Sequence, residues 1–388
     1  MVSLGALLDP GFRQPASCLI EVGTNFADIG IIADLVTQVE ITTGRAEAAT
    51  GTIIIEDRRK EDGQWIAADS GLFTRWAPIK VSADFQTHVE EIFRGYIVQP
   101  KPSYPNSGGE TKLELLMQDE SAALDREHMR GIWGDTAPMS DKDILAALIA
   151  PLGLAVDQES GTGQSSRSLS QDATPIVFLR ERANANGYDL IFSEGKVYFG
   201  PKRLDGEAQA PIMVYAGRST NCLSLEIIDD GQRPDAVRFD HAPQTEGAEP
   251  VTETVTPDVP ALGTSPVADE GASLGTPSVW RVSKEGDETE EELRARAQAL
   301  VNEHSFRIRA NGEIDGSLYG HVLKPGRTVT VDGTGARYGG TYFADKVVHR
   351  FSPEGYRQQF ELMRNATGED AGPLGPLSGA ASAIASVF

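Results

Sequence analysis

The densest set of reactive side chains is YFADKVVHRFSPEGYRQQFELMRNA, residues 342–366. His349 or Tyr356 could serve a catalytic role, with a second Tyr, several Arg and acids close in sequence. The alternation argues for a hairpin instead. Phe343, Val347 and Phe351 recur along one side of a first strand, with Asp345 and His349 among them. Tyr356, Phe360 and Leu362 recur along a second, and Ser352-Pro353-Glu354-Gly355 between them suits a tight turn.

The remaining candidates are dispersed. His88, His128, His241, His304 and His321 show no pair at metal-ligand spacing, so surface or satisfied core positions are expected. Asp229 and Asp230 precede Gly231, where acids suit a turn; a glycosidase-like carboxylate pair would need a partner that sequence alone cannot place. The acidic run 285–292 opens a helix, where the dipole favours negative charge. Cys18 and Cys222 are far apart and without neighbouring ligands, which predicts two free thiols in a reducing cytoplasm. Gly333-Thr334-Gly335 and Gly339-Gly340 lie between strands, whereas a phosphate loop should open a helix. No protease, hydrolase, P-loop or calcium-loop motif occurs. No catalytic, cofactor-binding or metal-ligating residue is therefore assigned, no cofactor is expected, and the chain is not expected to be an enzyme.

Composition narrows the class. Fifty-seven acids against 35 bases leave a net charge of −22, which opposes tight nucleic-acid binding but would suit a wall past which nucleic acid slides. No apolar run is long enough to cross a membrane, and the first residues lack the basic segment of a signal peptide. The 388 residues suggest more than one core, and 40 Gly with 22 Pro fit many short strands and turns.

The elements that must position these residues are mainly β. Residues 1–118 carry six strand-like runs, at 17–23, 35–42, 51–56, 79–85, 92–98 and 112–117, which suggests an antiparallel barrel or sandwich. Residues 119–210 form an inserted α+β module. Its first helix is capped by Ser140 and stopped at Pro151; its second has Thr174 as N-cap, Pro175 in the first turn and Gly187 at the end, followed by a hairpin. Residues 211–366 return to β, interrupted by a long loop at 242–278 and by a helix at 289–305 with a Thr289/Glu292 capping box and a Leu293, Ala297, Leu300, Val301, His304 stripe. Residues 367–388 are expected to be a flexible tail. One echo links the two β regions: residues 95–118 and 340–364 each enter with Gly and Tyr, cross a turn, and return on a strand ending Leu-Met.

The order of several patterns resembles the phage late control protein D family, the hub proteins of contractile-tail baseplates, and through it the hub half of type VI secretion spike proteins. The matching residues are LRARAQAL at 293–300, Gly316, LKPGRTVTV at 323–331, Gly339-Gly340-Thr341-Tyr342, Val347-Val348-His349, Gly355-Tyr356 and Phe360. Upstream, Phe93-Arg94-Gly95, the segment 141–148, and Val177-Phe178-Leu179 with Ala183 and Gly187-Tyr188 agree. The resemblance implies two similar antiparallel β-barrel domains per chain and a homotrimeric ring enclosing a channel. The ring would adapt a six-fold tail tube, through its initiator protein, to a trimeric spike, among baseplate wedge proteins and with a tape-measure protein as a further contact. Its place would be the tail baseplate of a virion or injection particle, assembled in the host cytoplasm. No β-helical repeat follows residue 366, so the spike is expected on a separate chain. The alternatives are a tail-associated cell-wall hydrolase, which acids could serve, and a carbohydrate-binding protein, against which Trp65, Trp76, Trp133 and Trp280 stand scattered. With this resemblance, the polar residues of 342–366 are expected to face a neighbouring subunit or a channel.

Overall fold

Strand formation follows the alternation of β-branched and polar residues. The computed structural model describes residues 15–106, 111–165, 168–241, 251–266, 275–286 and 288–368. In the first region the strands are β1 (Ser17–Val22), β2 (Ala27–Asp28), β3 (Val36–Gly44), β4 (Thr50–Glu56), β5 (Pro78–Asp84), β6 (Val89–Ser103) and β7 (Lys112–Asp119). Val39, Ile41, Ile53, Ile55, Leu113, Leu115 and Met117 turn inward onto one core. β6 is far longer than the expected 92–98. Its Pro100 and Pro102 lie beyond Tyr96, the last residue that pairs with β5, so that edge requires no N–H donors there.

The inserted segment carries β8 (Met129–Trp133), α1 (Asp141–Ile149), β9 (Ala155–Val156), β10 (Leu169–Ala173), α2 (Pro175–Asn186), β11 (Asp189–Ser193) and β12 (Lys196–Gly200) around its own core of Ile144, Leu145, Ile176, Leu179, Val197 and Phe199. Ser140 and Asp143 form a full capping box. Thr174 stands at the α2 N-cap without capping it: its hydroxyl donates to Asp125 Oδ1 at 2.8 Å, and Pro175 at the helix start lacks one of the N–H groups that are left unpaired there.

The second β region contains β13 (Gln209–Met213), β14 (Cys222–Asp229), β15 (Ala236–His241), β16 (Val251–Val255), β17 (Ser265–Pro266), β18 (Val279–Val282), α3 (Glu290–Ser305), β19 (Ile308–Asp315), α4 (Gly316–Tyr319), β20 (Thr328–Asp332), β21 (Gly340–Ser352), β22 (Gly355–Arg364) and β23 (Ala366–Thr367). α3 lays Leu293, Ala297 and Val301 on Val237, Phe239 and Val255 of the small β16-β15-β18 sheet.

Two expectations are corrected here. The predicted loop 242–278 contains strand β16, antiparallel to β15, and a buried Leu262. The alternating Val-Thr-Glu-Thr-Val favours a pleated strand although the surrounding composition is rich in Pro and Gly. Residues 242–250 and 267–274 of that segment lie outside the described residues. The predicted tail also starts too early: Thr367 is buried and β23 pairs with β17. The rest of the tail, 369–388, lies outside the described residues.

The fold is mainly β, and the two β regions are halves of one 13-stranded sheet, ordered β14-β19-β22-β21-β3-β4-β7-β6-β5-β1-β2, with β20 and β13 branching from β21. The halves meet where β21 pairs antiparallel with β3, from Lys346↔Gly44 to Phe351↔Val39. The sequence echo corresponds to the β6–β7 and β21–β22 hairpins. Their opening glycines are needed for different reasons: a Cβ on Gly95 would stand 2.1 Å from the Gln118 carbonyl oxygen, while Gly340 has φ +117°. Among the described residues no helix is long and apolar enough to cross a membrane.

Candidate functional site

The most heavily built feature is the seam between the two halves. β21 begins in its own half, paired with β20 through Phe343, and crosses to β3 at Lys346. A bulge between Ala344 and Lys346 makes the crossing possible and turns Asp345 toward the first half. The Asp345 carbonyl accepts the Arg45 N–H at 3.2 Å, and Asp345 Oδ1 accepts Arg45 Nε at 2.6 Å.

Arg45 then gathers carboxylates from separate parts of the chain. It reaches Asp189 Oδ1 of β11 at 3.0 Å and Glu303 Oε1 of α3 at 2.5 Å. Lys202 adds a 2.7 Å contact to Glu303, and Arg309 one of 2.7 Å to Asp345 Oδ2. Burial opposes the Glu303 charge, but Lys202 and Arg45 outweigh it and hold the carboxyl down at about 2. Burial raises the Asp189 carboxyl, with Lys202 and Arg45 pulling against it. Arg45 itself is held fully charged: burial works against it, and Asp189, Glu303 and Asp345 prevail. A guanidinium suits this role because its planar fork serves several carboxylates at once. The cluster ties the first β half, the inserted module, α3 and the second half to one another.

Beside it lies a cavity of about 180 Å³, lined among others by Thr43, Glu91, Asp119, Lys324 and His349. His349, a candidate for a catalytic role, is buried in this wall. Its Nδ1 stands 2.9 Å from the Tyr356 hydroxyl and its Nε2 3.5 Å from Thr43 Oγ1. Burial, aided by Lys324, drives its pKa down to about 3, so the ring is neutral. Tyr356 stacks on Phe351 at 4.2 Å, and its burial raises the phenol well above its ordinary value. The pair is a satisfied core contact within the β21–β22 hairpin, and only the Thr43 contact crosses the seam.

The polar residues of 342–366 were expected to face a partner or a lumen, and several do not. Gln358 and Arg364 are as buried as His349. Gln358 accepts the Leu323 N–H and donates to the His321 carbonyl, each at 2.8 Å. Arg364 donates to the carbonyls of Leu262, Gly339 and Gly368, and Asn365 clasps the 260–262 segment. The hairpin thus satisfies backbone groups of segments that cross over it. Arg350 alone among its arginines is fully at the surface, paired with Glu40 across the seam at 2.7 Å.

The other sequence candidates are spread over the surface. Asp229 takes Arg337 and Tyr338; Asp230 is held low by the Gln232 N–H and Arg233. His128 pairs with Asp172 at 2.8 Å, and His304 packs edge-on against Trp280 with burial lowering its pKa. The His241 side chain lies outside the described residues. Cys222 is buried, Cys18 is partly covered with burial raising its thiol to about 12, and both are free. Two features carry no sequence signal. Glu120, just after β7, is buried with Oε2 unpartnered among the described residues, and burial raises its carboxyl to about 7. His88 and His321, far apart in sequence, meet around Glu90.

A sequence comparison with curated proteins finds no match. Among solved structures, the chain is similar to the 43 kDa tail protein of prophage MuSo2 from Shewanella oneidensis, at 14% identity and TM-score 0.65 over 91% of this chain and 99% of that one. It is similar to a tail protein from Neisseria meningitidis at 14% identity and TM-score 0.64, over 91% and 97%. It is also similar to an Escherichia coli component of the type VI secretion system, itself described as similar to T4 bacteriophage tail proteins, at 11% identity and TM-score 0.50 over 90% and 77%. At such identities the likeness shows a common fold. A family model, the Alg8 N-terminal domain, matches residues 32–353. With most of its length inside that match, the chain belongs to the Alg8 N-terminal domain family.

Proposed function

We propose that this chain is the structural hub of a contractile-tail or injection-system baseplate and breaks no bond. The observation that carries this reading is the seam: two hairpin-matched β halves hydrogen-bonded into one sheet and locked by Arg45, within a fold similar to that of tail proteins over 91% of this chain. Such a chain offers two similar β units, residues 1–118 and 211–366, around an inserted module at 119–210. Three copies would present six units to a six-fold tube and three-fold symmetry to a spike, which is symmetry matching by repetition. The contacts are then the tail tube initiator above, the trimeric spike below, wedge proteins around the ring and a tape-measure protein along the channel. The acidic balance suits a lumen that repels nucleic acid. The particle would be a virion tail or an injection machine assembled in the bacterial cytoplasm.

A second reading, a tail-associated cell-wall hydrolase, draws on Glu120, whose raised carboxyl is the kind that donates protons. One experiment separates the two: measure the mass of the purified chain alone and with its spike, and assay it on peptidoglycan. A trimer, alone or on adding the spike, that leaves peptidoglycan intact supports the hub. A monomer that cleaves peptidoglycan overturns it.

A further inference from the structure

The corner where the first half touches the α4–β20 connection brings together two imidazoles and a carboxylate. Donor atoms of His88, Glu90 and His321 all lie within 4.8 Å of one another. Glu90 Oε1 stands 2.7 Å from His321 Nδ1 and 3.1 Å from His88 Nε2. We propose that these three residues form a binding site for a divalent transition cation of the zinc class, stapling the two β halves at a second point.

Each donor is held by its surroundings. Asp84 Oδ1 accepts the Gln86 N–H at 2.7 Å and the His88 carbonyl accepts the Phe85 N–H at 3.0 Å, so the β5–β6 turn fixes the His88 backbone. The His88 ring lies stacked 5.0 Å from the Phe85 ring, and its Nδ1 is 2.9 Å from the Thr87 hydroxyl. Glu90 Oε2 accepts the Val322 N–H at 2.8 Å, leaving Oε1 to face both rings. His321 follows Gly320, which closes α4 in the left-handed conformation, and its carbonyl is tied to Gln358. Outer-shell partners of this kind orient metal-binding imidazoles and carboxylates.

The donor set selects the metal class. Two imidazole nitrogens and one carboxylate suit zinc and its neighbours, whereas calcium and magnesium prefer all-oxygen shells. Around a tetrahedral zinc with ligands at about 2.0–2.1 Å, adjacent donors stand about 3.3 Å apart. The present contacts are slightly tighter, because Glu90 Oε1 is hydrogen-bonded to the His321 ring and stands within ion-pair range of His88. A cation replaces these two contacts, and small rotamer movements of the exposed rings open the space. In His88 the ring proton moves to Nδ1, where the Thr87 hydroxyl can accept it. The fourth position is open to water or to a donor from a neighbouring molecule.

The test uses the full chain, stripped with a chelator and titrated with zinc alone and with cobalt(II) alone. The wild type is expected to bind one cation per chain, to show the visible absorption of four-coordinate cobalt, and to unfold at a higher temperature with zinc than without. His321→Ala, at a half-exposed position, should weaken binding at least tenfold and abolish the thermal shift. Glu90→Gln, which keeps an acceptor for the Val322 N–H, should do the same. Thr87→Val should cost about tenfold through His88 alone. A wild type that takes up no zinc overturns the proposal, and so does uptake that persists unchanged in both His321→Ala and Glu90→Gln.

Discussion

The hairpins β6–β7 and β21–β22 share a plan but are filled differently. The first buries Ile92, Phe93, Ile97, Leu113, Leu115 and Met117, and its one buried charged side chain, Asp119, stands at its very end. The second buries Tyr342, Phe343, Val347 and Phe360, but also His349, Gln358 and Arg364. The difference follows from their neighbours. β6 and β7 pair only with strands of their own half, so ladder hydrogen bonds satisfy most of the backbone and most side chains need only fill space; Asp119, which accepts the Ala49 N–H at 2.6 Å, is the exception. β21 leaves its half at the bulge, and loops from elsewhere lie over its sheet. Their backbone groups need donors and acceptors, which the hairpin supplies from buried polar side chains. One hairpin is a wall and the other a keystone, and polar residues in a repeated unit mark the copy that bears the junction.

The strongest way to break that contrast is Arg45→Met. It leaves Asp189, Glu303 and Asp345 facing one another with only Lys202 and Arg309 in partial compensation, and should destabilise the chain by about 3–5 kcal/mol. Met117→Ala in the first hairpin should cost a comparable amount through a cavity alone. Denaturant unfolding of both single variants and the double distinguishes the mechanisms. The Met117 effect should add to that of Arg45, whereas Asp345→Asn should couple strongly with Arg45→Met. A loss below about 1 kcal/mol for Arg45→Met, or simple additivity with Asp345→Asn, would refute the keystone.

How much of this was legible in the chain depends on range. Alternation located all six long strands of the first region, because each reports only its own two faces. Ser140 and Thr289 announced their helices because capping boxes are local. Thr174 misled for the same reason: its hydroxyl had a competing acceptor 49 residues away. The single extra residue at 344–346 was invisible, yet it sends Asp345 to Arg45 and takes Asp345 off the buried face that Phe343, Val347, His349 and Phe351 occupy. The same limit hid the His88, Glu90 and His321 corner, whose members stand up to 231 residues apart along hydrogen-bonded pairs and carry no local motif.

Acidification probes the keystone next. His349 is neutral when folded, with its pKa depressed from 6.5 to about 3. A depressed folded value means that its contribution is complete above about 6.5 and is lost as pH falls toward 3. By pH 5 the loss should reach about 2 kcal/mol, at about 1.4 kcal/mol per unit. His349→Gln can still meet the Tyr356 hydroxyl and has no proton to take up. Stability measured by denaturant from pH 8 to 5 should therefore fall more steeply for the wild type than for His349→Gln. Parallel curves would refute the assignment.

The wall region should show the opposite slope, from Glu120. Burial, with Glu91 and Asp119 adding repulsion and Arg94 opposing, raises its carboxyl from 4.5 to about 7. A raised folded value means that its contribution is full below about 4.5 and is lost as pH rises through about 7. Above that pH the chain carries a buried carboxylate whose Oε2 has no partner among the described residues. Glu120→Gln removes the charge at constant shape, so it should stabilise the chain by about 2 kcal/mol at pH 8 and by little at pH 4. The gain must depend on pH, since a packing improvement would appear equally at both. A difference between wild type and Glu120→Gln that stays constant from pH 4 to 8 would leave the slope without its cause. A gain confined to the alkaline side would show that Glu120, beside the first half of the sheet, and His349, in the second, set opposite edges of its pH range.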